Sequence, residues 1–353
     1  MTAVSGRRVA VVLFNLGAPD KPEAVEPFLF NLFSDRAITN LAQPFRWALA
    51  TLISSRRAPT AREIYEKIGG GSPLLEHTEA QGAALASALA GNGETRVFIA
   101  MRYWHPMSDE TATAVKAFAP DLVVLLPLYP QFSTTTTASS IAAWRAAAAT
   151  AGLRADTRAI CCYPTAEPFI DAHVRSILPA LEEARGHGPV RLLFSAHGLP
   201  KRVVARGDPY VWQVGETARF VAQRLEDRGA GGLDWTLCFQ SRVGPLEWVG
   251  PLIEDEIHRA GQDGVGLVVV PIAFVSEHSE TLVELDIDYR ARARTVGVPV
   301  YIRVPALGAD EGYIDTLAAL TRRAIARKSP VASCADGRLC PAEFGRCSLA
   351  TGR

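Results

Sequence analysis

The sequence predicts an α/β protein of two similar lobes, each a four-stranded parallel sheet flanked by helices. Short β-branched or aliphatic runs alternate with longer alanine-rich amphipathic stretches, the rhythm of repeated strand–helix units. Eight such runs fall into two groups of four, separated near CCYPTAEP. Several of them end abruptly in polar or titratable residues, and strand ends of a parallel sheet gather on one rim, where open α/β folds place their ligands.

The first strand is VAVVLFN (9–15), which follows two arginines and runs into NLGAPD without a small-residue cleavage site, so it reads as a strand and not a signal peptide. RVFIAM (96–101), LVVLLPL (122–128) and TRAICCY (157–163) complete the first group, with HTEAQGAALASALAG and SSIAAWRAAAATAG as helices between them. IGGGSP follows the helical stretch AREIYEK, so its glycines cap a helix and turn the chain. The second group is VRLLFSA (190–196), WTLCFQS (235–241), GLVVVPIAF (266–274) and VPVYIRV (298–304), with PFIDAHVRSILPALEEARG and GETARFVAQRLEDRG as helices. The expected lobes are residues 7–162 and 163–305, with a helix at about 311–328 packing back on the first. Residues 329–353 form a polar, cysteine-bearing tail in which no core is expected.

Composition narrows the function. The 353 residues hold 37 basic and 37 acidic side chains, which gives no electrostatic case for nucleic acid as partner. No uncharged apolar stretch reaches the ~18 residues of a spanning helix. Six cysteines in a chain of this length do not make a disulfide framework, so a reducing, cytoplasmic setting is expected. No G-x-G-x-x-G follows the first strand and no G-x-S-x-G elbow occurs, which leaves nucleotide-binding and serine-hydrolase readings unsupported.

The strand ends carry the chemistry. They supply Asn15-Leu16, Arg102-Tyr103 in RYWHP, Tyr129 in LYPQ, His197 in LLFSAHGLP, and Glu277-His278 in SEHSETLVELDIDYR, with Trp248 in the GPLEWVGP segment. Each alone is a weak signal, and a backbone-satisfied histidine is an equal alternative for His197. Together they point to one cleft. Glu277, Glu280, Glu284 and Asp288 are three or four residues apart and line one face of a helix. Like charges at this spacing need a cation, a proton or a basic partner to compensate them, unless the face is simply solvated.

Seven stretches, NLGAPD, IGGGSPL, RYWHP, LYPQFSTTTT, FSAHGLP, FQSRVGPLEWVGP and PIAFVSEHSETLVELDIDY, are similar in kind and order to the ferrochelatase family, over residues 9 to about 305. The resemblance implies two α/β lobes with a porphyrin cleft between them, and insertion of ferrous iron (Fe2+) into protoporphyrin IX. It implies that His197 is the active-site histidine, a pyrrole proton acceptor or transient iron ligand, and Glu280 its acidic counterpart. Glu277, His278, Glu284 and Asp288 would form the associated acidic track. Asn15, Leu16, Arg102, Tyr103, Tyr129 and Trp248 would line the porphyrin site. A coproporphyrin substrate, or a haem-binding protein without catalysis on the same scaffold, are the alternatives.

Cys334, Cys340 and Cys347 form a C-x5-C-x6-C pattern. Some members of the family bind a [2Fe–2S] cluster through three tail cysteines and one internal cysteine. The animal position of the internal ligand corresponds to Thr134 here, so the resemblance leaves Cys161 or Cys162 as the fourth ligand. Free or zinc-binding thiols are the alternative. Cys238, inside a strand, reads as a small buried hydrophobe. PFLFNLFSDRAITNLAQPFRWALATL (27–52) is rich in apolar residues that look exposed, and peripheral contact with the inner face of the cell membrane is expected there.

Overall fold

The computed structural model describes residues 6–351 apart from positions 40 and 92. The chain divides into two units: one gathers the chain up to Cys162 with Leu317–Ser333, the other holds Tyr163–Thr316 with Cys334–Thr351. Among the described residues the strands are β1 (Arg8–Asn15), β2 (Glu94–Met101), β3 (Leu122–Pro127), β4 (Asp156–Cys162), β5 (Val190–His197), β6 (Asp234–Gln240), β7 (Gly266–Pro271), β8 (Tyr301–Arg303) and β9 (Val331–Ser333). They pair in parallel throughout, in the order β2-β1-β3-β4-β9 in the first unit and β6-β5-β7-β8 in the second.

In the first unit β1 and β3 are buried along almost their whole length, which is why their sequences are unbroken aliphatic runs and not alternating ones. Val12, Phe14, Val123 and Leu125 face Ala112, Val115 and Phe118 of the helix Ser108–Phe118 and Ile141 and Trp144 of the helix Thr137–Ala151. Each such buried aliphatic side chain contributes roughly 1.5–3 kcal/mol. In the second unit Leu193, Leu267 and Val269 pack on Ile253, Ile257 and Ala260 of the helix Ile253–Asp263, with Leu285 and Tyr289 closing the same core. The glycines of IGGGSP end the helix Phe45–Glu66 as expected: Gly69 and Gly70 take φ of 94° and 93°. A Cβ at Gly71 would strike the Asp20 carbonyl.

Two expectations need correction. The first sheet has five strands, not four, because Val331 and Ala332 pair beside Ala159 and Ile160 on the outer edge of β4. The tail is not without a core either, since Val331, Cys340 and Cys347 are all buried. Its order comes from single contacts that leave no apolar periodicity in the sequence. Gln213 Nε2 donates to Cys340 Sγ at 3.0 Å, Phe344 packs on Trp212 with ring centroids 5.8 Å apart, and the Arg346 amide donates to Gly207 O at 3.1 Å. Arg158 caps the helix Glu311–Ala326, its Nη1 donating to Ala324 O at 2.8 Å and Ile325 O at 2.9 Å.

Candidate active site

β5 ends at His197, half-buried and opposite Gln240 on β6. The strand stops there because the chain must pass close to its neighbours. The Gly198 amide donates to Gln240 O at 3.0 Å, and a Cβ on Gly198 would lie 3.1 Å from Trp248 Cε3. After β7 the chain runs through Glu277 and His278 into a π-helix, Glu280–Tyr289. A π-helix of this length is rare, and this form concentrates at functional sites.

Glu280 Oε2 lies 3.0 Å from His197 Nδ1 and 4.0 Å from His278 Nε2. Burial disfavours charge on both members of the His197–Glu280 pair, but their attraction and hydrogen bond override it. The Glu280 carboxyl is held well below the usual range, and the His197 imidazole is raised above 6.5, with Glu284 adding to the rise. His197 Nε2 has no hydrogen-bond partner among the described residues, and the Trp248 indole stands edge-on to the imidazole with centroids 6.2 Å apart. Burial lowers His278 in spite of Glu280 and Glu277 beside it, so its ring stays neutral; it packs on Phe274 at 4.7 Å.

Glu284 is braced from four sides. Gln240 Nε2 donates to its Oε2 at 3.0 Å, and the Ser241 hydroxyl donates to the same oxygen. Its Oε1 accepts from the Ser241 amide at 3.1 Å and from the Tyr289 hydroxyl at 2.8 Å. Ser195 Oγ donates to Gln240 Oε1 at 2.7 Å, which fixes the amide so that its nitrogen faces Glu284 and the Glu280 carbonyl. Ser241 has φ of 64°, a left-handed conformation that costs a non-glycine residue about 1–2 kcal/mol. Burial raises the Glu284 carboxyl and the Glu280 charge adds to this, against the pull of its donors.

The structure divides the expected acidic row. Glu280 and Glu284 stand with His197 and His278, but Glu277 precedes the π-helix and its carboxylate is 2.7 Å from Arg303 Nη1 and 2.9 Å from the Ala306 amide. Asp288, near the other end of the helix, is exposed. The single helix face expected for positions 277, 280, 284 and 288 is therefore absent: the helix begins only at Glu280 and has the wider π pitch.

In the first unit, the Arg102 and Tyr103 amides donate to Asn15 O and Leu16 O, each at 2.9 Å, so these four residues meet at the carboxyl ends of β1 and β2. Asn15 is buried and its Nδ2 donates to Thr78 Oγ1 at 2.9 Å. Asp35 organises the rest. Its Oδ2 accepts from the Tyr103 hydroxyl at 2.7 Å and from Ser139 Oγ, and pairs with Arg102 Nη2 at 2.9 Å. Burial alone would raise the Asp35 carboxyl, but these donors and the Arg102 charge hold it below 3.8. Tyr103 is fully buried, and Tyr129 packs against the sheet core with its hydroxyl 3.4 Å from Ser140 Oγ. Sequence reasoning missed Asp35, Ser139 and Tyr289; Gln240 and Ser241 stand out in the sequence as the polar end of WTLCFQS, but without a role.

Cys161 and Cys162 end β4, buried, with sulfurs 3.4 Å apart. In the second unit Cys340 hydrogen-bonds Cys347 and lowers that thiol to about 6. Cys334 Sγ lies 3.6 Å from Thr165 Oγ1. Among the described residues no group of three or more His, Cys, Asp or Glu side chains is placed to hold a metal ion. Cys238 is the buried small hydrophobe expected.

A histidine–carboxylate pair beside a second, heavily braced carboxylate, at the carboxyl edge of a parallel sheet, has the perturbed titratable groups that mark a candidate enzyme site. The ferrochelatase family model matches residues 8–325. A Ferrochelatase of Caulobacter vibrioides (strain NA1000 / CB15N) is 51% identical over 349 residues, covering 98% of this chain and 99% of the relative. One of Phenylobacterium zucineum (strain HLK1) is 53% identical over 348 residues, with the same coverage of 98% and 99%. Among solved structures, the sirohydrochlorin chelatase SirB from Bacillus subtilis subspecies spizizenii, in complex with cobalt, aligns with a TM-score of 0.51 at 10% identity, covering 90% of this chain and 95% of that one, a likeness of fold. The chain belongs to the ferrochelatase family.

Proposed function

We propose that the protein inserts ferrous iron into protoporphyrin IX to form protohaem, with His197 as the group that takes the pyrrole protons. The His197–Glu280 pair carries this reading. A free-base porphyrin is planar and must lose two N–H protons before a metal can sit in its plane. With Nδ1–H donated to Glu280, neutral His197 presents Nε2 as a lone pair, and Glu280 stabilises the imidazolium that forms when a proton arrives. Trp248 supplies an aromatic wall edge-on to the imidazole. Binding energy from the rest of the macrocycle can then hold the ring bent while protons leave and iron enters. Arg102, fixed by Asp35 and Ser139, offers its remaining N–H donors to a propionate.

The test offers the protein anaerobic Fe(II) with protoporphyrin and, separately, coproporphyrin, and follows loss of porphyrin fluorescence. Turnover with protoporphyrin and its loss in His197→Ala are expected. An equally active His197→Ala chain would sink the assignment, and preference for coproporphyrin would move it to the alternative substrate.

Peripheral membrane contact is supported by the helix Phe45–Glu66, where Phe45 and Trp47 are 71% and 57% exposed. No helix among the described residues is long and apolar enough to cross a membrane. Sedimentation with anionic liposomes, lost in Phe45→Ser/Trp47→Ser, checks the contact. The lowered Cys347 thiol beside Cys340 favours a soft-metal role for the tail. Visible absorbance with iron and acid-labile sulfide counted per chain tests the [2Fe–2S] form; a colourless chain carrying zinc opposes it.

A further inference from the structure

A π-helix of ten residues needs support beyond its own backbone. Such i→i+5 bonding is mostly confined to single turns inside an α-helix, which continues on either side. Here no α-helix leads into Glu280, and one follows only at Arg290. The support comes from β8. The Tyr301 hydroxyl donates to Leu285 O at 2.7 Å, in the middle of the helix. Arg290 Nε donates at 3.0 Å to Asp286 O, the carbonyl that α-helical bonding would give to the Arg290 amide. The Arg290 guanidinium is itself tied to β8, its Nη1 donating to Tyr301 O at 2.8 Å.

Arg303 acts as a gauge of length. Its Nη1 donates to Glu277 Oε1, ahead of the helix, and its Nε to Asp286 Oδ2, past the middle, each at 2.7 Å. Asp286 Oδ1 accepts from Arg290 Nη2 at 3.0 Å. A planar guanidinium holds its donors in a fixed fork, so both carboxylates must stay within its reach. An i→i+5 helix advances less per residue than an i→i+4 helix, so a change to α pitch would carry Asp286 away from Glu277 and break one arm. The strand order β6-β5-β7-β8 puts this anchor at the opposite edge of the sheet from Gln240, whose Nε2 donates to Glu280 O at 3.2 Å. The helix is thus pinned at both edges, and Glu280 meets His197 of β5 between them.

Resting on the assignment of His197 and Glu280 as the reacting pair, we propose that Tyr301 and Arg303 of β8 are positioning residues, which keep residues 280–289 in the π form and so set Glu280 against His197. Neither touches that pair. Tyr301 is buried with its hydroxyl on Leu285 O, and the Arg303 side chain is only 9% exposed with its donors on Glu277 and Asp286, so neither side chain meets substrate. Without the Tyr301 hydroxyl the middle of the helix loses a buried donor and relaxes toward i→i+4 bonding, which turns Glu280 from the imidazole. Displacing a reacting group by about 1 Å can cost about a hundredfold in rate, and a partial relaxation about tenfold.

The experiment measures steady-state kinetics of the full chain, with Fe(II) and protoporphyrin, for Tyr301→Phe, Asp286→Asn, Glu280→Gln and the double variant Tyr301→Phe/Glu280→Gln. Tyr301→Phe and Asp286→Asn should each lower kcat about tenfold, with KM for metal and porphyrin within about twofold of wild type. Because Tyr301 acts through Glu280, the double variant should be no slower than Glu280→Gln alone, whereas independent losses multiply. Amide hydrogen exchange over residues 280–289 should speed up in Tyr301→Phe, with the other strands and helices of the unit protected as before. Asp286→Asn keeps the shape of the side chain and gives the same readouts from a second contact. The positioning role is overturned if kcat is unchanged in Tyr301→Phe and Asp286→Asn, if the double variant shows the product of the two losses, or if exchange over 280–289 does not change. A wild-type chain with no insertion activity would instead defeat the proposed function, so the two failures are distinct.

Discussion

Removing the guanidinium of Arg303 tests what Glu277 does. Arg303, at the end of β8, has a side chain 9% exposed and lies 2.7 Å from both Glu277 Oε1 and Asp286 Oδ2. Burial works to raise the Glu277 carboxyl, but the Thr281 hydroxyl, Arg303 and the Ala306 amide hold it below 4.5. Arg303→Met leaves a carboxylate that is only 12% exposed without its counter-charge, a change expected to cost about 3–5 kcal/mol. Glu277→Gln/Arg303→Met should recover most of that loss, because no unpaired charge remains. The pH dependence gives a second readout. In the wild type the folded carboxyl sits below its unfolded value, so its contribution is present above 4.5 and fades as pH falls through the folded value. In Arg303→Met burial dominates, the carboxyl rises above its unfolded value, and stability should increase as the solution is made more acidic. Urea denaturation of the full chain between about pH 5 and 8, with unchanged m, measures both effects. A loss under about 1 kcal/mol, or a wild-type pH slope in Arg303→Met, would refute the reasoning and return Glu277 to the acid track.

Three further outcomes are expected. Because Glu280 raises His197 above 6.5, the acidic limb of kcat/KM should lie above that value, and in Glu280→Gln it should move down as burial takes over; a limb that stays in place would disconnect the pair from catalysis. Asp35→Asn removes the anion that faces Arg102 at 2.9 Å, and should raise porphyrin KM about tenfold with iron KM unchanged; an unchanged porphyrin KM would make Asp35 a structural residue only. Gly198→Ala places a methyl 3.1 Å from Trp248 Cε3 and 3.3 Å from Gln240 O, and should lower kcat with little change in the unfolding midpoint, read by parallel kinetics and denaturation.

The strand ends were legible because chemistry and punctuation coincide there. In LLFSAHGLP a run of core residues stops on a histidine, then a glycine and a proline, and His197 stands at that edge opposite Gln240. Glu280 and Glu284 were legible through spacing. Glu277 was misplaced because arithmetic at 3.6 residues per turn assumes a helix already under way, whereas the chain becomes helical only at Glu280 and then with π pitch. No composition signal marks that start. Asp35 lies outside any periodic element, and its role depends on partners 67, 68 and 104 positions away, which no local pattern encodes. β9 has only three residues, too few to alternate, and it is held by its backbone.

That short strand covers more than its length suggests. β4 would otherwise offer the open rim of the first sheet, with the Ala159 amide unmet by the Pro330 carbonyl that accepts from it at 2.8 Å. An uncovered strand of this kind is a template for a foreign chain. A version cut before Pro330 should keep its catalytic residues yet self-associate through β4, so the tail also acts as a guard against aggregation.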